Sequence, residues 1–188
     1  MKTLHEYEKI LPQIARKAVL EEFTGEVLIN KQELYSTYPE LKEKRATFVT
    51  IETKEGELRG CIGTLTPHRP LLEDVIHNAK AAAFNDYRFS PMNLEEMEDV
   101  TFEVSILSLP EPVSYYDEED LKDKIIPFEH GVVLDYNGYR ATFLPQVWEK
   151  LPDFDQFFAH LCLKAGLSSN CLELHPDIYR YTVTDIKE

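Results

Sequence analysis

Gly131-Val-Val-Leu-Asp-Tyr-Asn-Gly-Tyr-Arg-Ala-Thr-Phe-Leu144 sets Asn137-Gly138 between two β-rich runs. A two-residue hairpin turn needs positive φ at both central residues, which Asn and Gly accept at low cost. The stretch therefore predicts antiparallel strands over 131–136 and 139–144. Working outward, Val100, Phe102, Val104 and Ile106 alternate with Thr101, Glu103 and Ser105. Period-two alternation marks a half-buried strand. Residues 47–53 and 58–65 are a second β-rich pair, joined by the turn Lys54-Glu55-Gly56-Glu57. Ile178 to Asp185 alternates as well and reads as one last strand.

Helical spacing of apolar residues runs through 4–23, 71–86 and the stretch from Phe154 to Ala165. The first helix stops near Gly25. Pro12 either kinks it or stands in the first turn of the main helix. Asp153 is placed to cap the third helix and Gly166 to end it. Asn93-Leu-Glu-Glu96 has the form of a capping box. Residues 26–46 read as a surface loop with a turn of helix. Residues 110–124 read as an acidic excursion with a helical turn at 117–124. Helices and hairpins come in blocks without βαβ alternation. The class is α+β, with a mainly antiparallel sheet flanked by helices, within one domain over 1–188. That sheet is predicted to hold 47–53, 58–65, 100–108, 131–136 and 139–144.

Twenty Lys and Arg against 34 Asp and Glu give a net charge of −14 over 188 residues. Phosphate backbones are bound by neutralising them with Lys and Arg, so this balance argues against nucleic acid and against anionic membrane surfaces. Charge stands in Met1-Lys2-Thr3-Leu4-His5-Glu6 where a signal peptide has its apolar stretch, and no apolar run is long enough to span a membrane. Cys61, Cys162 and Cys171 are an odd count without C-x-x-C. They imply no disulfide framework and no zinc site, and a reducing cytoplasm is the compartment expected. The six histidines lack metal-binding spacing, and no phosphate-loop, dinucleotide or nucleophile-elbow motif occurs, so neither metal nor cofactor is evident.

Arg59-Gly60-Cys61-Ile62-Gly63 is the best candidate site. Two glycines within four residues weaken a strand and usually mark a bulge, a bend or a close approach to the backbone. In a regular strand Arg59 and Cys61 share a face, and a neighbouring cation favours the nucleophilic thiolate. Against this, free cysteine is commonly buried and inert, and the glycines are equally suited to close helix packing. His68 or His130 could pair with Cys61 if the fold brings them together. Asp86 and Arg88 follow a helix end, where Arg88 is suited to a carboxylate or phosphate or to a local ion pair with Asp86. Gln146, near a strand-to-helix junction, offers hydrogen bonds to a cleft or to solvent.

Leu58-Arg-Gly-Cys-Ile-Gly-Thr-Leu65 resembles the signature of the AMMECR-type domain family, whose bacterial members are called AmmeMemoRadiSam system protein A. Ala81-Ala-Ala-Phe-Asn-Asp-Tyr-Arg-Phe89 within 78–91, Glu103-Val-Ser-Ile-Leu107, Thr142-Phe-Leu-Pro-Gln-Val-Trp148 with Leu161-Cys-Leu-Lys-Ala-Gly166, and Tyr179-Arg-Tyr181 resemble its later blocks in order. The resemblance runs from about residue 10 onward. It departs at Thr66-Pro67-His68 and is poor over 26–46. It implies a larger lobe on an antiparallel sheet, a smaller lobe, and a cleft near Arg59–Gly63. It also implies a pathway shared with a Memo-type protein and a radical-SAM enzyme, which is association and not chemistry.

The reading is therefore a protein that acts on or holds a small molecule around Cys61. Arg59, Gly60, Gly63, Asp86, Arg88 and Gln146 are its candidate binding residues. The alternative is a non-catalytic scaffold whose glycine turn is structural and whose surface binds protein partners.

Overall fold

Val49 and Ile51 of β1 (Thr47–Thr53) are fully buried, while Phe48 and Thr50 between them are only partly so. The alternation read from sequence thus becomes a strand with one face on a core. The computed structural model describes residues 4–188, so the reading of Met1-Lys2-Thr3 lies outside the described residues. β1 pairs antiparallel with β2 (Leu58–Gly63) on one side and β3 (Val100–Leu107) on the other. β8 (Val183–Lys187) flanks β3, giving the order β2-β1-β3-β8.

Helices α1 (Glu6–Lys9), α2 (Leu11–Thr24), α3 (Lys31–Thr37) and α4 (Leu71–Phe84) belong with this sheet. Leu11, Ala15, Ala18 and Val19 of α2 meet Leu72, Val75, Ala79 and Ala82 of α4 in one core with Val49, Ile51, Phe102 and Val104. The predicted helix over 4–23 is broken at Ile10. Pro12 lies at the start of α2, where its missing N–H costs nothing, and Gly25 closes the helix at φ 72°. Residues 26–46 contain a full helix, α3. Its cap is Asn30, whose Oδ1 accepts the Glu33 N–H at 3.2 Å.

A second four-stranded sheet has the order β4-β7-β5-β6, from β4 (Glu111–Val113), β5 (Gly131–Tyr136), β6 (Tyr139–Phe143) and β7 (Asp177–Tyr181). It holds α5 (Glu118–Lys124) and α6 (Phe154–Lys164). Its core joins Trp148, Phe157, Phe158 and Leu161 with Val132, Leu134 and Ile178. Asn137 and Gly138 take φ of 53° and 87°, the turn expected between β5 and β6. The chain divides into two compact units, one running to Leu107 and taking in Thr184–Glu188, the other Ser108–Val183.

Three expectations change. The five predicted strands exist but are shared between two sheets, because alternation tells which side chains face a core and not which strands pair. The single last strand is two: β7 and β8 meet at Thr182 and join different sheets. Cys162 and Cys171 form a disulfide, where none was expected. Gly166 reverses the chain at φ 85°, the Leu167 N–H donates to Cys162 O, and a turn of 3-10 helix at Cys171–Leu174 brings the second cysteine back to a Cα–Cα distance of 5.7 Å. That distance lies inside the range a disulfide spans. No helix among the described residues is long and apolar enough to cross a membrane.

Candidate functional site

β2 is an edge strand, so half of its backbone N–H and C=O groups lack a strand partner. At Cys61 both outward groups are met by side chains. The Cys61 N–H donates to Asp86 Oδ2 at 2.9 Å, and Arg88 Nη2 donates to Cys61 O at 3.3 Å. Cys61 is thus a non-hydrogen-bonded partner of Thr50 across β1, the kind of pair in which side chains approach most closely. Its Sγ lies 3.2 Å from Thr50 Oγ1. The residue is half-buried, and its thiol is free.

Asp86 and Arg88 form one rigid unit. Arg88 Nε and Nη2 donate to the two carboxylate oxygens at 2.9 and 2.7 Å, and the Arg88 N–H adds a third bond to Oδ1 at 3.1 Å. The Asp86 side chain is 2% exposed and that of Arg88 41%. The Arg88 hydrogen bonds hold the Asp86 carboxyl far below the usual carboxylate range. Burial opposes them, and the Cys61 and Arg88 backbone N–H groups add to them. Arg88 is raised in return, chiefly by its bond to Asp86. Its outer face remains available to a ligand.

Arg59 is not beside the thiol in the way a regular strand predicts. The register passes from Ile51–Gly60 to Glu52–Leu58, which makes Arg59 the inserted residue of a β-bulge. Its Nε and Nη2 bind the Glu96 carboxylate at 2.6 and 3.2 Å, and Nη2 also binds Ser90 O at 3.0 Å. The guanidinium carbon is 5.7 Å from the Phe89 ring centroid. Its Nη1 is buried without a hydrogen-bond partner among the described residues. Glu96 is lowered, first by the Arg59 hydrogen bonds and then by the Asn93 N–H, completing the predicted capping box. Arg59 therefore anchors the loop that carries Arg88 and Phe89.

Both glycines are bare for reasons of packing. A Cβ on Gly60 meets the Ala82 carbonyl oxygen of α4 at 2.2 Å, and one on Gly63 meets the Phe48 ring at 2.2 Å. Past Gly63, the Thr64 hydroxyl reaches Asp74 at 2.7 Å. The fully buried Asp74 carboxylate also accepts the Thr47 N–H at 2.9 Å, the Thr47 hydroxyl at 2.8 Å and Asn78 Nδ2 at 3.1 Å. A buried charge is tolerated when hydrogen bonds replace its water, and this network fastens β1 and the end of β2 to α4.

The first unit thus brings together Cys61, Asp86 and Arg88, with Arg59 alongside in the supporting loop. Gln146 is exposed on the 3-10 turn Pro145–Glu149 of the second unit. The ring nitrogens of His68 are engaged with Thr66 O at 2.9 Å and Arg69 Nε at 2.9 Å, so His68 does not serve the thiol. His130 is buried in the second unit, where its Nδ1 accepts the Ile126 N–H at 2.9 Å. Sequence reasoning missed Thr50 and Glu96. The alternation of 47–53 carries the signal for Thr50, and the capping box marks Glu96. The groups able to contact a ligand at this site are the Cys61 thiol, the Thr50 hydroxyl and Arg88. Among the described residues no group of three or more His, Cys, Asp or Glu stands together to hold a metal ion.

An antiparallel four-stranded sheet packed on α2 and α4 carries the Arg-Gly-Cys-Ile-Gly segment on its edge strand. The AMMECR1 family profile matches residues 12–186, and the chain belongs to that family. Protein MJ0810 of Methanocaldococcus jannaschii is 38% identical over 180 residues, covering 92% of this chain and 86% of its own. A Thermofilum pendens protein is 42% identical over 172 residues, covering 84% and 78%. The crystal structure of the uncharacterised protein PH0010 from Pyrococcus horikoshii matches with a TM-score of 0.78 at 35% identity, over 100% of this chain and 94% of that one. None of these names carries an activity.

Proposed function

We propose that the protein binds a small anionic molecule against the edge of the first sheet at Cys61 and acts on it there, with the thiol facing the ligand and Arg88 supplying the positive charge. The observation that carries this reading is the arrangement at Cys61. A half-buried free thiol sits on a backbone clamped at both N–H and C=O, beside a guanidinium that is fixed by Asp86 yet 41% exposed. Binding groups held rigid before the ligand arrives lose little entropy on binding. The proposed roles are ligand contact for Cys61 and Arg88, orientation of Arg88 by Asp86, and anchoring of the loop by Arg59 through Glu96. Gly60 and Gly63 contribute by letting the strand lie close to α4 and Phe48. The setting we propose is the cytoplasm, alongside the Memo-type and radical-SAM partners that the family resemblance implies.

The second reading is a scaffold that binds protein partners. It is favoured by the glycines, whose vacant volumes Ala82 and Phe48 fill without any ligand. Iodoacetamide labelling of the native protein, read by mass spectrometry, separates the two. The binding reading expects Cys61 to alkylate in the folded state, more slowly after Arg88→Met, and to be protected by small carboxylates or phosphates. A Cys61 that stays inert until the protein unfolds, with Cys61→Ser changing only stability, supports the scaffold instead.

A further inference from the structure

A cavity in the first unit lies away from Cys61, between α2 and α3. It has a volume of about 360 Å³, at the small end of ligand pockets. Its apolar lining includes Ile14, Ile29 and Leu34, with Ile14 and Ile29 buried. Its polar lining includes two opposite charges, Lys17 from α2 and Glu33 from α3.

These two charges share a cavity without forming an ion pair. The neighbouring cations are spoken for: Arg16 pairs with Glu188, Lys31 with Glu73 and Lys80 with Glu22. Lys17 has no hydrogen-bond or ion-pair partner among the described residues. The Glu33 carboxylate has one contact, Asn30 Nδ2 at 3.2 Å. Asn30 is itself held by capping α3, so the Glu33 side of the cavity is fixed by the helix start.

We infer that this cavity binds a free apolar α-amino acid. Its carboxylate would meet Lys17, its ammonium Glu33, and its side chain the Ile14, Ile29 and Leu34 surface. Charge decides among small amphiphiles. A simple carboxylate leaves Glu33 facing an anion on a protein already at −14, and a simple amine leaves Lys17 facing a cation. A zwitterion satisfies both groups, and its zero net charge is not repelled by the acidic surface.

The test is a titration of the full chain with L-leucine, followed by calorimetry and by amide chemical shifts. Hexanoate and isopentylamine serve as single-charge controls. Saturable leucine binding is expected, with shifts at Ile14, Lys17, Glu33 and Leu34. Lys17→Met and Glu33→Gln should each weaken it roughly tenfold, the loss of one charge-assisted hydrogen bond. Both residues are exposed, so an unchanged melting temperature confirms that each variant folds. Cys61→Ser should leave leucine binding intact, which separates this site from the one at the sheet edge. Absence of saturable binding at millimolar leucine overturns the inference. So does hexanoate binding as tightly as leucine with Glu33→Gln having no effect.

Discussion

Asp86 accepts the outward N–H of Cys61 at 2.9 Å, so a carboxylate 25 residues downstream ends the hydrogen-bond ladder of an edge strand. Because Arg88 closes the same pair on the Cys61 carbonyl, removing Asp86 frees two strand groups and one guanidinium at once. Asp86→Ala is expected to cost about 2–4 kcal/mol, the usual loss when a buried, charge-assisted partner is taken away. Urea titration measures it, and faster amide exchange at Cys61 localises it. The folded-state pKa of Asp86 is depressed, so its contribution is complete above the ordinary aspartate value of about 4. It is lost as pH falls below that value. The Asp86→Ala and wild-type stabilities should therefore converge in acid.

Gly60 and Gly63 should answer differently to alanine. The obstacle at Gly60 is backbone, the Ala82 carbonyl of a buried helix, whereas that at Gly63 is the half-buried Phe48 ring, which can turn. Overpacking of this kind costs about 1–3 kcal/mol or more. Gly60→Ala is expected at or above the top of that range and Gly63→Ala below it, by thermal or chemical denaturation of each variant. Equal losses would show that α4 can retreat from the strand.

The Cys162–Cys171 bridge closes a loop with a sequence separation of nine. Loop-closure entropy for so short a loop gives about 2–3 kcal/mol. Reduction, or Cys162→Ala with Cys171→Ala, should lower the stability of the second unit by that order. Both cysteines are fully buried, so reductant should act slowly on the folded protein. Thiol titration with and without denaturant checks both points.

His130 should make the second unit acid-sensitive near neutrality. Its pKa is lowered by burial first and by Arg180 next, with Glu129 and Glu111 opposing. Folding favours its neutral form, with Nδ1 accepting the Ile126 N–H and its backbone carbonyl accepting from Trp148 Nε1 at 2.8 Å. The unfolded chain binds this proton at the ordinary value of about 6.5, so stability from this group is complete above that pH and falls as pH drops below it. Denaturation between pH 8 and 5 should show that slope, and His130→Gln should flatten it.

β1 and β3 are legible because each buries one face. Val49 and Ile51, or Phe102 and Val104, could not face water, and Asn137-Gly138 could hardly be anything but a turn. What the sequence hid was long-range. The division into two sheets depends on which strands pair, and nothing local marks Thr182 as the break. α3 reads from sequence only as a turn of helix, because the apolar residues after its Asn30 cap, Leu34, Tyr35 and Tyr38, are too few to set a helical period. The disulfide is not legible because an odd cysteine count forces no pairing, although two can pair and one remain. At the candidate site, Asp86 and Arg88 were legible as a pair. The bulge that moved Arg59 away from the thiol was not, since one inserted residue leaves composition unchanged.

The break at Thr182 also bears on how the molecule is made. β8 is the edge of the first sheet, yet it emerges from the ribosome after the whole of the second unit. Residues 4–107 must therefore wait with the β3 edge open, and Arg16 and the Phe102 N–H must wait for Glu188. The second unit is continuous in sequence and is free to finish first. The first unit thus holds the earliest residues translated, yet its sheet closes only with the last strand of the chain.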